Sequence, residues 1–100
     1  MLGMVRTFDE FLVPGQELDI LVNVMNYNNK DLEDVKITVF IPELPLYFRS
    51  GTFDVESRES YGKLVFEDIP EDAEPGDYLV RVTVSNDDFK KSVYRYITIV

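Results

Sequence analysis

One hundred residues with no cysteine, no histidine and a formal net charge of −9 make one domain and remove several chemistries at once. Without Cys there are no disulfides, thiol nucleophiles or thiolate metal sites, and without His the usual general base, the usual transition-metal ligand and the Ser-His-Asp triad are all missing. Nineteen acidic against ten basic side chains repel phosphate backbones and anionic headgroups, which argues against nucleic-acid and membrane-surface partners. No apolar run approaches the ~20 residues that span a bilayer. The opening Met1-Leu2-Gly3-Met4-Val5-Arg6 is too short for a signal peptide, so a leader for a secreted protein would lie outside this sequence.

In chain order, Met4 to Phe8 reads as an opening edge strand, continued by Phe11-Leu12-Val13 after the charged break at Asp9-Glu10. Pro14-Gly15 then marks a turn, because Pro presets one dihedral and Gly accepts positive φ. From Gln16 to Ile41 two ribbons alternate with a period of two. Leu18, Ile20, Val22 and Val24 form one apolar face, and Val35, Ile37, Val39 and Ile41 form the other, across the Asn-rich turn Asn26–Asp31. Pro42-Glu43-Leu44-Pro45 is a stiff crossing segment, followed by short strands at Leu46–Arg49 and around Phe53 and Val55. Leu64 and Phe66, with Val65, place a strand between Tyr61 and Asp68. Tyr78, Val80, Val82 and Val84 give the cleanest alternation, and Lys91 to Val100 is the last strand, with Ile97 and Ile99 as its core residues.

No segment shows a helical apolar period. About seven strands separated by turn signals predict an all-β fold, an antiparallel immunoglobulin-like β-sandwich with residues 1–100 as one domain. Ending inside a strand without a polar tail, the chain reads as a module of a longer protein.

Two stretches carry a family likeness: Pro14-Gly15-Gln16-Glu17-Leu18 with Val22-Asn23-Val24-Met25-Asn26 and Asp31 to Val39, then Glu74-Pro75-Gly76-Asp77-Tyr78 with Val80-Arg81-Val82-Thr83-Val84. They resemble immunoglobulin-like modules of prokaryotic surface proteins, such as the cell-adhesion-related bacterial domain and the acidic modules of archaeal S-layer-type proteins. The resemblance implies a non-catalytic structural or adhesion module, extracellular or at the cell surface. Its partners would be neighbouring domains or subunits of a surface assembly, and it would be a monomer in isolation with no cofactor. It also implies that Tyr78 folds onto the core and bonds its hydroxyl back to the corner backbone.

Three kinds of chemistry remain to be weighed. Glu67, Asp68, Glu71, Asp72, Glu74 and Asp77 are numerous enough for glycosidase carboxylates, but they are expected in one contiguous loop rather than on facing strands, so no enzyme is expected. Tyr27, Tyr47, Phe48, Phe89, Tyr94 and Tyr96 could stack on a glycan, although strands use aromatics routinely for packing. Lys63, Lys90, Lys91 and Arg95 read as guards of strand edges. Finally, a sandwich brings the loops Asn26–Asp31 and Asn86–Asp88 to one tip. Asn26, Asn28, Asp31, Asp87 and Asp88, with Asn29 and Asn86, would offer calcium its preferred oxygen ligands there. Turn chemistry accounts for the same residues, because Asn and Asp bond their own backbone in turns, and it is the preferred reading.

Overall fold

The computed structural model describes the backbone of Leu2–Thr7 and residues 11–100. Among the described residues nine strands, against about seven expected, follow in order: β1 Leu2–Thr7, β2 Phe11–Leu12, β3 Glu17–Met25, β4 Leu32–Ile41, β5 Leu46–Arg49, β6 Phe53–Val55, β7 Ser60–Asp68, β8 Gly76–Ser85 and β9 Lys90–Ile99. The expected first-strand end at Phe8 and the break at Asp9-Glu10 lie outside the described residues. One sheet has the order β1-β3-β7, and the other runs β2-β9-β8-β4-β5 with β6 also on β4.

Among the described residues all pairings are antiparallel except one. β2 lies parallel to β9, with Phe11 opposite Thr98 and Leu12 opposite Ile99. The reason is topological: after pairing with β3 in the first sheet, the amino-terminal segment switches to the second sheet without reversing direction. Val100 N–H donates to the Leu12 carbonyl at 2.9 Å and extends that edge.

The alternation in the sequence is realised as burial. Leu18, Ile20, Val22 and Val24 of β3, Val35, Ile37, Val39 and Ile41 of β4, and Val80, Val82 and Val84 of β8 are all within 1% of zero exposure. Each contributes about 1.5–3 kcal/mol by leaving water. Ile97 and Ile99 join them from β9, as expected, while Tyr94 and Tyr96 face outward.

Strand β7 runs where expected, and the structure decides which of its apolar residues lies inside. Val65 is the buried residue, and Leu64 and Phe66 are 40% and 53% exposed. Residues directly opposed across a pair share a face. Val65 sits opposite Ile20, whereas Leu64 opposes Leu21 and Phe66 opposes Asp19. The register with β3 therefore decides the facing, since both parities of β7 carry apolar residues.

Two irregularities shape the edge of β4. Asp34 adopts φ 53°, and the β4–β6 register shifts between Leu32 and Val35, so an extra residue bulges there. Further along, β5 stops, and the Ser50 hydroxyl accepts the Ile37 N–H at 2.8 Å in place of a backbone carbonyl. The ladder is thereby continued between β5 and β6. At Pro14-Gly15, φ is 85° at Gly15, whose N–H donates to the Ile69 carbonyl at 3.0 Å and so ties the turn to the end of β7.

Candidate functional site

Two regions gather the candidate side chains: the loop tip and the outer face of the larger sheet. The tip collects the β3–β4, β6–β7 and β8–β9 loops. Asn26 is its anchor and is only 2% exposed. Its amide nitrogen donates to the Lys30 carbonyl at 2.8 Å and the Val55 carbonyl at 3.1 Å, and its oxygen accepts the Asn28 N–H at 3.0 Å. Its own N–H donates to the Glu59 carbonyl.

The neighbouring loop residues are tied to the segment before β7. Asp31 Oδ1 accepts the Ser57 N–H at 2.8 Å, the Asn28 carbonyl accepts the Ser57 hydroxyl at 2.7 Å, and Asn29 accepts from the Arg58 guanidinium at 2.9 Å. In the β8–β9 loop, Asn86 Oδ1 accepts the N–H groups of Asp88 and Phe89, and its amide reaches the Glu33 carbonyl at 3.2 Å.

The two expected loops thus share one end of the molecule. Of the five calcium candidates, Asp31, Asp87 and Asp88 line a common open depression of about 180 Å³, together with Glu33 and Asp34. Asn26 and Asn28 do not line it. The Asn26 side chain serves backbone groups, which is the turn chemistry the sequence also allowed, and Asn28 takes part through its main-chain N–H and carbonyl. Among the described residues no three acidic side chains stand together as a ready metal cluster.

The outer face of the larger sheet divides the aromatic candidates. Phe48 and Phe89 are partly buried and pack against the core, whereas Tyr47, Tyr94 and Tyr96 are 59%, 53% and 69% exposed. Tyr27, also exposed, sits at the tip with its hydroxyl on the Met25 sulfur. The register places Tyr94, Arg81, Phe40 and Tyr47 in one row across β9, β8, β4 and β5. Phe40 and Tyr47 meet edge to face with centroids 6.1 Å apart, and the Arg81 guanidinium lies 5.5 Å from the Phe40 centroid. Tyr96 and Leu79 form the next row, and Phe11 stands exposed on β2 one row further on, opposite Thr98.

Below the aromatic row lies an open depression of about 600 Å³. Lys36, Arg49, Arg81 and Lys90 all line it, with Tyr47 at its border. Lys90 therefore belongs to this cationic group as well as to a strand end. Arg49 and Arg81 were not among the expected site residues, although their parity with Tyr47 and Leu79 is a legible sign that they point outward.

The acidic cluster does not sit in one loop, as the sequence suggested. Glu67 and Asp68 belong to β7, Glu71, Asp72 and Glu74 to the loop after it, and Asp77 to β8, where it accepts a hydrogen bond from the Thr98 hydroxyl at 2.7 Å. Among the described residues, no helix is long and apolar enough to cross a membrane.

Two facing sheets, a core built from alternating aliphatics and a tyrosine corner at the start of β8 define an immunoglobulin-like sandwich module. No family model and no curated protein sequence matches the chain. Among solved structures, it is similar to the CARDB domain of a Pyrococcus furiosus protein in complex with di-metal ions. The TM-score is 0.75 at 14% identity, over 96% of this chain and 84% of that one. The solution structure of that CARDB domain matches with a TM-score of 0.76 at 16% identity, over 96% and 90%. The DNA-bound alkylpurine DNA glycosylase AlkC of Pseudomonas fluorescens carries the same fold within a larger chain, with a TM-score of 0.74 at 9% identity over 98% of this chain and 29% of that one. At these identities the likeness is one of fold.

Proposed function

We propose that this chain is a non-catalytic adhesion or spacer module of a cell-surface protein, of the S-layer type or a similar assembly. The observation that carries the reading is the placement of the two ends of the sandwich. β1 begins at Leu2 opposite Val24, beside the loop tip, whereas β9 ends at Ile99 opposite Gly76, at the other end of a body 46 Å long. Neighbouring domains would join at opposite poles, so copies strung together extend rather than fold back. The similarity to CARDB domains supports the cell-adhesion class and, with it, a location outside the cell.

Two copies fused end to end, studied by small-angle scattering, test this. A maximum dimension close to twice that of the single module, with the single module monomeric in sedimentation, is the expected result. A compact side-by-side pair would overturn it.

A second reading is favoured by one observation, the metal-bound state of the CARDB neighbour. Here it would use Asp31, Asp87 and Asp88 at the tip, with calcium as the ion suited to their oxygens. Titration with millimolar calcium, followed by backbone amide shifts, decides it. Shifts confined to the two tip loops support a site, and unchanged spectra leave the tip as two polar turns.

A further inference from the structure

The chain carries nine more acidic than basic groups, yet four of its ten cations, Lys36, Arg49, Arg81 and Lys90, line one depression whose acidic residues are only Asp34 and Asp87. On a molecule of this charge, a local excess of positive groups is a departure from the mean field, and it selects an anionic ligand. The same face presents three exposed tyrosines, Tyr47, Tyr94 and Tyr96, on a sheet that supplies a broad platform. Aromatic rings on a flat surface stack on apolar ring faces, and planar guanidinium forks match carboxylate or sulfate oxygens. Arg81 combines both elements. Its cation lies over Phe40, and it stands between Tyr94 and the Phe40–Tyr47 pair, so it is held in the row while its side chain remains exposed to solvent.

We propose that the outer face of the β9-β8-β4-β5 sheet binds an anionic polysaccharide, with Tyr47 and Tyr94 stacking on sugar rings and Arg81, Arg49, Lys36 and Lys90 neutralising its carboxylate or sulfate groups. The proposal rests on the reading of the chain as an adhesion module, to which it gives a ligand. Successive rows along the strands lie roughly 6.6–6.8 Å apart. The aromatic row and the Arg49 row are therefore adjacent steps, spaced for a ring and its charged substituent. An acidic protein surface, including that of a second copy, meets the charge condition but leaves the exposed tyrosines without a role.

Affinity electrophoresis of the chain through gels holding polygalacturonate, dextran sulfate or neutral dextran tests this. Retardation by one or both anionic polymers and none by dextran is expected, and the two anionic gels separate carboxylate from sulfate recognition. Arg81→Gln and Tyr47→Ala should each weaken binding by about tenfold, with unfolding midpoints near that of the parent. The cation substitution should lower the salt sensitivity, and the tyrosine substitution should leave it unchanged. No retardation on either anionic gel, or retardation that Tyr47→Ala does not alter, overturns the proposal. A concentration-dependent dimer abolished by Arg81→Glu also overturns it, by assigning the face to a second copy. Shortening of the polymer during the run would instead overturn the non-catalytic reading while leaving the ligand in place.

Discussion

The hydroxyl of Tyr78 donates to the carbonyl of Glu74 at 2.7 Å, four residues back across the corner that leads into β8. The ring is 8% exposed and belongs to the core, so one side chain closes the loop and fills the base of the sandwich. Removing only the hydroxyl separates the two roles. Tyr78→Phe is expected to cost about 1 kcal/mol, the ordinary net value of one hydrogen bond. Tyr78→Ala should cost roughly 3–5 kcal/mol through the cavity it leaves. Urea unfolding measures both, and equal losses in the two variants would contradict the corner.

Asn26 performs the corresponding task at the opposite end. Its amide nitrogen serves two carbonyls, one of them 29 residues away on β6, so a carboxylate there would face acceptors with nothing to donate. Asn26→Ala leaves the two carbonyls without their donor, at about 1–3 kcal/mol each, and Asn26→Asp should destabilise further near neutrality because its carboxylate repels them. The gap between the two variants should narrow in acid as the carboxyl regains a proton.

Val82 lies on the central strand of the larger sheet and is fully buried opposite Val39. Val82→Asp places an unpaired carboxylate in the core, which costs several kcal/mol with no partner to compensate. Loss of the strand signal in the far ultraviolet is the expected outcome, and Val22→Asp should behave alike. A folded, cooperative Val82→Asp variant would show that the core is not continuous through β8.

Two carboxyl groups on the small sheet hold their protons more tightly than usual. Glu17 is raised above 4.5 first by its hydrogen bond with Asp19, with the charges of Asp19 and Asp68 adding to it. Glu67 is raised first by burial and then by Asp68. In each case the folded state binds the proton better than the unfolded chain. Ionising these groups therefore costs stability as pH rises through their folded values, and that cost is absent below 4.5. Acidification from neutrality into the window just above 4.5 should raise the unfolding midpoint. Glu67→Gln should be more stable than the parent near neutrality and should flatten the slope. A parent whose stability falls steadily across that window would refute the assignment.

The sequence alone determined the class of fold and most of its core. A period of two at Leu18–Val24, Val35–Ile41 and Tyr78–Val84 admits one inward face per strand, and those residues are the buried ones. The corner at Tyr78 was also legible, because its spacing from Pro75-Gly76 is local. Facing in β7 was not legible. Leu64, Val65 and Phe66 are apolar on both parities, and only the hydrogen-bonded register with β3 put Val65 inside. The parallel pairing of β2 with β9 needed the crossing between sheets, which no local pattern encodes. The tip loops met as expected, but Asn26 left the list of free ligands because its partners at Lys30 and Val55 are fixed by tertiary contact. The cationic face is the clearest case. Lys36, Arg49, Arg81 and Lys90 are scattered over 55 positions of the chain, and they converge only when four strands align. Periodicity is a property of neighbours along the chain, whereas register and convergence belong to the pairing between strands.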